Sequence, residues 1–599
     1  MNSFRFVARY SREFLRHWGS YVLLILTTNL VLEYAVIPLF QFTASFILQK
    51  GDIPYVSNTN FLTILTQHPG VSLALLCLLL LILAVIFLQF TFQLFGIRSI
   101  QANENQNLWQ LFKRSLRQMR HLRPAVFLFF LFYFMIVLPF ANSVFRTPLL
   151  NKVTIPTFII DFLLAKPWSA VLLALGYLAI SYVGMRWLFV LPLMIFKELR
   201  PRLAIRESWQ LTHERFWHYL WRLVLISVSL SIISMVGYEM IYLFQTLLDQ
   251  LPKPLPAIGA MLNLTGVQLF GQFLFMWATV LYFSILLQKF FALPLKVPET
   301  RAKRKINLLI RIAAGIFVVF LSLSTLASNA LYLAGITETQ PLVISHRGVD
   351  EENGVQNTLP ALAATIKKKP DYVEMDVHET KDHQFVVMHD ENLKQLTGVD
   401  RAPYQLTLAE LTQLTARENG HAAKVASFDD YLAYANDHGQ KLLIELKTTP
   451  HDSPEMLDRF IARYQVNILR HQHRVHSLDY NVVKELKSRA PKLYVSYILP
   501  YNLTFPQTTA NGYTMEESTL NEDFMDQARL QQKQVYAWTV NDALAMDRMI
   551  FLHVDGIITD DITLLKSEIA DFQRDPTFAQ RIRIYIDRIP SFDQKRDEN

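Results

Sequence analysis

"PLVISHRGVDEENGVQNTLPALAATIKKKPDYVEMDVHET", residues 341–380, reads as a strand, a polar turn, an amphipathic helix and a second strand. Two strands joined by a helical crossover of this length pair in parallel, because a tight turn can only reverse the chain. The same alternation continues downstream. Strand patterns fall at 384–390 (QFVVMHD), 441–447 (KLLIELK), 474–478 (RVHSL), 492–499 (KLYVSYIL), 534–540 (QVYAWTV) and 554–560 (VDGIITD), with a weaker one at 513–518 (YTMEES). Helical runs such as SPEMLDRFIARY and NDALAMDRMIF separate them. Near-eightfold repetition of strand and helix predicts a (β/α)8 TIM barrel. The stretch 391–427 breaks the alternation and is expected to be an insertion between the second and third barrel strands.

Upstream of residue 335 the composition changes. Of the 599 residues 51% are hydrophobic, and the apolar ones are concentrated here. Crossing a bilayer takes about 20 mostly apolar residues in a helix. Seven segments meet that length: 19–42, 70–96, 124–144, 168–195, 219–247, 264–292 and 306–334. The run VSLALLCLLLLILAVIFLQF (71–90) carries no charge at all. A polytopic helical membrane domain is therefore expected over 1–335, a barrel over 336–570 and a tail over 571–599.

Lys and Arg alternate between the connections. The N-terminal tail has Arg5, Arg9, Arg12 and Arg16, and the second, fourth and sixth loops are equally basic. The first loop has only Lys50 and the fifth only Lys253. Basic loops stay cytoplasmic, which predicts a cytoplasmic N-terminus and, after an odd number of spans, an extracellular C-terminal half. The net charge of +7 thus belongs to membrane-facing loops and implies no nucleic-acid partner. The single cysteine, Cys77, lies in an apolar run, so neither a disulfide framework nor a thiolate metal site is available. Glu33, Arg186, Glu239 and Arg311, within or near the spans, read as snorkelling or structurally paired charges. The tail motif RIRIYIDRIPSF (581–592), alternating basic and apolar residues, is expected to cover a barrel edge, with contact to anionic lipid as the alternative.

In a barrel of this kind chemistry sits at the C-terminal ends of the strands. His346 and Arg347 end the first strand, Glu374 and Asp376 the second, His389 its extension, and Glu445 and Lys447 the next. Side chains two apart on a strand share a face, about 7 Å apart, so Glu374 and Asp376 converge, as do Glu445 and Lys447. Three carboxylates in one cavity require protons or a hard cation, and oxygen-only ligation favours one divalent Ca2+ or Mg2+.

These motifs resemble the glycerophosphodiester phosphodiesterase family. HRG followed by NTLPAL, then VEMDVHETKD, VVMHDENL, LLIELK, VYAWTVND and DGIITD carry the likeness over about 341–565. The apolar half resembles the membrane domain fused to such enzymes in bacteria. The resemblance implies a membrane-anchored hydrolase that cleaves glycerol-phosphate diesters to glycerol 3-phosphate and an alcohol. It implies His346 and His389 as the acid/base pair, Arg347 and Lys447 as phosphate contacts, and Glu374, Asp376 and Glu445 as metal ligands. Gln356, Asn357 and Trp538 would complete the substrate side.

Substrates expected on this basis are deacylated or lyso-phospholipids, or a polyglycerol phosphate such as lipoteichoic acid, at a bacterial cell membrane. Two departures stand out: Gln356 replaces the glutamate of the family's P-E-N-T, and HSL at 476–478 replaces its Q-S-F. A phospholipase D-like enzyme releasing a cyclic phosphate, and a non-catalytic barrel serving as a binding module, are the competing readings.

Overall fold

The computed structural model describes residues 3–56, 60–104, 107–119, 129–130, 132–133, 147–150, 155–164, 166–288, 290, 301–334, 340–501, 504–573 and 577–587. Among these, six helical stretches are long and apolar enough to cross a bilayer. They are Trp18–Lys50, Pro69–Gln101, Pro167–Phe196, Phe216–Leu248, Leu255–Gln288 and Leu308–Ala330. The expected span at 124–144 lies almost wholly outside the described residues. The chain is a membrane protein. Its first helix, Ser3–Arg16, buries Phe6, Tyr10 and Phe14 at four-residue spacing and leaves Arg5, Arg9, Arg12 and Arg16 exposed. One face is thus greasy and the other basic.

The soluble half is a closed barrel followed around its rim by helices. Its strands are β1 (Leu342–Ser345), β2 (Tyr372–Glu379), β6 (Leu442–Leu446), β7 (Arg474–Ser477), β8 (Val495–Leu499), β9 (Gly512–Glu516), β10 (Gln534–Trp538) and β11 (Gly556–Thr559). All eight pair in parallel, and β1 closes the ring by pairing with both β2 and β11. The weak pattern at 513–518 is thus a full barrel strand. β3 (Phe385–Val387) runs antiparallel on β2. The insertion contributes the hairpin of β4 (Thr415–Glu418) and β5 (His421–Lys424). It has its own small core, with Val386, Leu393, Leu396, Leu411 and Val425 buried together.

Period-two alternation divides each strand between two surroundings. Val373, Met375, Val377, Ile444, Leu446, Val475 and Val535 point outward and pack beneath the helices. Ile344, Tyr372, Leu443, Tyr536 and Ile558 point inward and fill the barrel. Leu443 belongs to this inner group because it shares parity with Glu445.

The two halves touch through the first loop and through the tail helix. In the first loop, Tyr55 donates to the Tyr501 carbonyl, and the Tyr501 hydroxyl donates to the Val56 carbonyl at 2.8 Å. Tyr55 is 1% exposed and joins the barrel's helix–sheet core. Lys484 pairs with Asp52 alongside at 3.4 Å. Elsewhere, the tail helix Phe578–Asp587 packs Phe578, Ile582 and Tyr585 against Tyr238, Ala260 and Val267 of the membrane helices. Asp249 accepts from Ala579 N at 2.8 Å, Gln268 donates to Tyr585 at 2.8 Å, and Arg583 pairs with Glu239. The tail therefore seats between the membrane domain and the barrel helix Ala543–Phe551, covering no open strand edge: its apolar face matches the apolar helix faces, and Glu239 receives its arginine.

Removing the Tyr55 ring should cost about 3 kcal/mol of docking, as for other buried aromatic truncations. Tyr55→Ala is expected to speed amide hydrogen exchange in 52–56 and at 499–501 while β1 and β11 keep their protection. Equal exchange in both proteins would mean that the contact does not form in solution.

Candidate active site at the barrel mouth

Each inward-facing apolar residue is followed, two positions on, by a polar one. Ile344 leads to His346, Tyr372 to Glu374 and Asp376, Leu443 to Glu445 and Lys447, Tyr536 to Trp538, and Ile558 to Asp560. The barrel therefore has a greasy floor and a charged mouth.

The HRG turn sets the geometry. Arg347 adopts φ 50°, which turns its backbone N–H onto Glu374 Oε2 at 2.8 Å. Gly348 follows at φ 71°, and a Cβ there would meet the Tyr431 hydroxyl at 2.5 Å. Only glycine meets both conditions. Asn357 fastens this turn to β2: its N–H donates to the Arg347 carbonyl at 2.8 Å, its amide donates to Asp376 Oδ2 at 2.8 Å, and its Oδ1 accepts from Asp376 N at 3.2 Å. Asn357 thus spends its amide on a carboxylate.

Glu374, Asp376 and Glu445 are 2%, 1% and 8% exposed. Two like charges about 4 Å apart repel by about 4 kcal/mol at an effective dielectric of about 20, so such a group needs compensation. Lys447 Nζ lies 2.9 Å from Glu445 Oε1 and 3.2 Å from Asp376 Oδ1. Burial alone would lower the lysine pKa, but these two anions hold it above the ordinary lysine range. Burial would raise Asp376; Lys447, His389, Arg347 and the Asn357 amide hold it ionised, well below the usual carboxylate range. Arg347 Nε is 3.9 Å from Asp376 Oδ2.

Both expected histidines lie at this mouth, each beside an aspartate. His346 Nδ1 is 2.8 Å from Asp560 Oδ1. Burial would lower its pKa, but the Asp560 carboxylate overcomes this and raises it. His389 Nδ1 is 2.9 Å from Asp390 Oδ1, and its carbonyl is 3.2 Å from His378 Nε2. Burial pulls His378 down to about 4, so that imidazole is neutral and serves as a prop. Trp538 packs on the floor cluster, with its indole N–H donating to the Thr514 carbonyl at 3.0 Å.

Gln356 lies between two charges. Its Oε1 accepts from Arg347 Nη1 at 2.7 Å, while its Nε2 donates to Glu418 Oε1 at 2.6 Å and its N–H to Glu418 Oε2 at 3.0 Å. Glu418 is supplied by the inserted hairpin. An amide can accept from arginine and donate to a carboxylate at once, which a carboxylate in its place could not do.

Glu374, Glu445 and His476 form a buried group whose potential ligand atoms all lie within 4.8 Å of one another. Carboxylate oxygens with an imidazole nitrogen suit a divalent cation.

A family model described as "Membrane domain of glycerophosphoryl diester phosphodiesterase" matches residues 7–325, and one described as "Glycerophosphoryl diester phosphodiesterase family" matches 346–564. The chain belongs to the glycerophosphoryl diester phosphodiesterase family. It is an enzyme, a phosphoric diester hydrolase. A glycerophosphodiester phosphodiesterase of Caldanaerobacter subterraneus is 27% identical over 229 residues, covering 37% of this chain and 94% of the relative. Among solved structures, a putative glycerophosphoryl diester phosphodiesterase of Silicibacter pomeroyi is 23% identical, covers 40% of this chain and 98% of its own, and has a TM-score of 0.36. An Oleispira antarctica phosphodiesterase in complex with the product sn-glycerol-3-phosphate is 22% identical, covers 38% and 97%, and has a TM-score of 0.34.

Three residues of the phosphodiesterase mouth escaped sequence reasoning. Asp560 ends the last strand of a quoted motif, and its position at a strand end was the available signal. His476 lies in a strand whose polar residue looked like a mere departure from Q-S-F. Glu418 belongs to the insertion, and no periodicity links it to Gln356.

Two expectations follow. Asp560→Asn removes the anion that favours the charged imidazole, so the limb of the kcat/KM profile that reports His346 should move to lower pH. The pair's contribution to stability is present between the ordinary carboxylate and imidazole ranges. It fades as pH rises through the raised His346 pKa, and as pH falls toward about 2, the value to which the imidazole holds Asp560 against the effect of burial. Separately, Gln356→Glu sets two carboxylates against each other and should destabilise the enzyme by about 1–3 kcal/mol, while adding Glu418→Gln should restore most of the loss in thermal unfolding.

Proposed function

We propose that this enzyme hydrolyses glycerophosphodiesters to glycerol 3-phosphate and an alcohol, with His346 and His389 as the acid/base pair. One observation carries the reading: two aspartate-paired imidazoles share a barrel mouth with three buried carboxylates that Lys447 and the Arg347 turn hold in place. A phosphodiester is an anion that repels nucleophiles and has a poor leaving group. Arg347 and Lys447 supply positive charge where charge builds at phosphorus. Glu374, Asp376 and Glu445 hold one divalent cation, which when bound polarises the phosphoryl group as a Lewis acid. The oxygen donors taken alone favour Ca2+ or Mg2+.

His346, whose protonated form the Asp560 carboxylate favours, donates its proton to the departing alkoxide from Nε2. His389, oriented through Nδ1 by Asp390, takes the proton of the attacking hydroxyl. Gln356 and Asn357 hold Arg347 and Asp376 in position, and Trp538 walls the glycerol side.

We assign the barrel to the extracellular side of a bacterial cell membrane and the N-terminus to the cytoplasm. Supporting this, the connections that touch the barrel and tail, at 52–56 and at Asp249, are those poor in Lys and Arg. Held there, the site meets deacylated or lyso-phospholipids and polyglycerol phosphates such as lipoteichoic acid.

His389→Ala or Glu445→Ala should lower release of glycerol 3-phosphate by at least about 100-fold in a folded protein, as followed by 31P NMR. Retained turnover in both would overturn the residue roles, and a cyclic phosphate as the end product would replace hydrolysis by intramolecular attack. Intact cells given a membrane-impermeant glycerophosphodiester should turn it over, and chelator should stop them. Activity seen only after lysis would reverse the sidedness.

A further inference from the structure

His476 has no part in the chemistry described so far. It lies on β7 in register with Glu445 of β6, which in turn is in register with Asp376 of β2. The three side chains therefore form one row across neighbouring strands. The imidazole is 2% exposed, and among the described residues neither ring nitrogen has a hydrogen-bond partner. Its neighbour in sequence, His473, shows what a structural histidine of this barrel looks like. There Nδ1 accepts from Leu442 N at 2.9 Å and Nε2 meets Asn436 Oδ1 at 2.8 Å. Buried polar atoms are almost always paired, and an unpaired ring in a charged pocket calls for a ligand.

The spacing points to an ion. His476 Nε2 is 3.6 Å from Glu374 Oε1, too long for a hydrogen bond. Two donors on one cation, each about 2.0–2.4 Å from it, lie from about 3 to 5 Å apart. The group of Glu374, Glu445 and His476 falls inside that range, with ligand atoms within 4.8 Å. Glu374 is already aimed: its Oε2 accepts from Arg347 N, which leaves Oε1 toward the imidazole.

We infer that His476 is a nitrogen ligand of the cation site and that it turns the site's preference from Ca2+ or Mg2+ to a borderline transition ion such as Mn2+ or Co2+. This rests on the proposal that Glu374, Asp376 and Glu445 hold a divalent cation. Carboxylates alone suit Ca2+, whereas imidazole suits transition ions and is a poor ligand for Ca2+. A glutamine amide at this position, as in the related Q-S-F pattern, would offer only oxygen to the ion.

The full-length protein, stripped by chelator and kept in detergent or nanodiscs, is titrated with Mn2+, Co2+ and Ca2+. The wild type is expected to bind Mn2+ at least about tenfold more tightly than Ca2+. His476→Gln should lose about 10- to 100-fold in Mn2+ and Co2+ affinity and change little for Ca2+. Pulsed EPR of the Mn2+-loaded wild type should show a nitrogen coupling that changes on 15N-histidine labelling and is lost in His476→Gln. Should His476→Gln fold poorly, His476→Asn serves in its place, and absence of nitrogen coupling in the wild type overturns the assignment without any variant. Stoichiometric Mn2+ binding without nitrogen coupling would remove His476 from the ligand set and leave the cation site standing. Failure of the wild type to bind one equivalent of any of the three ions would overturn the cation site itself.

Discussion

Three carboxylates buried at one barrel mouth, Glu374 and Glu445 close together and Asp376 joined to Glu445 through Lys447, are the constraint around which it is built. Left alone they would repel by several kcal/mol per pair, and nearly every polar feature nearby serves to meet that charge. Lys447 bridges Asp376 and Glu445, the Arg347 backbone turns through a left-handed conformation to donate to Glu374, and Asn357 grips Asp376 from both sides. The glycine of the HRG motif follows from the same need, since the turn passes too close to Tyr431 for any side chain. A motif that reads as a family signature is thus a steric and electrostatic solution.

Much of this was legible in the sequence because it depends on local periodicity. Strand alternation placed Glu374, Asp376, Glu445 and Lys447 on one face, and the helical crossover set the parallel sheet. Strand ends marked the charged mouth, and the apolar runs marked the membrane helices. What stayed hidden depends on contacts between distant segments. Nothing local tells that Asp560, at the far end of the barrel sequence, closes the ring beside His346. The tail shows its mix of basic and apolar residues locally, yet nothing local points it at Glu239, over 300 residues away.

Gln356 shows how a departure from a family pattern can be misjudged when the residue is taken alone. Read in sequence, it removes a negative charge from the site. In the folded chain it accepts from Arg347 and donates to Glu418, so the negative charge is still present, one residue further out and on the inserted hairpin. The insertion is therefore wired into the mouth. His476 is the counterpart: a second departure whose ring meets the acidic group itself.

The barrel is fastened to the membrane helices at two separate places, by the first loop beside Tyr501 and by the tail helix Phe578–Asp587. A body attached at two such points cannot swivel freely about either one, as it would on a single linker.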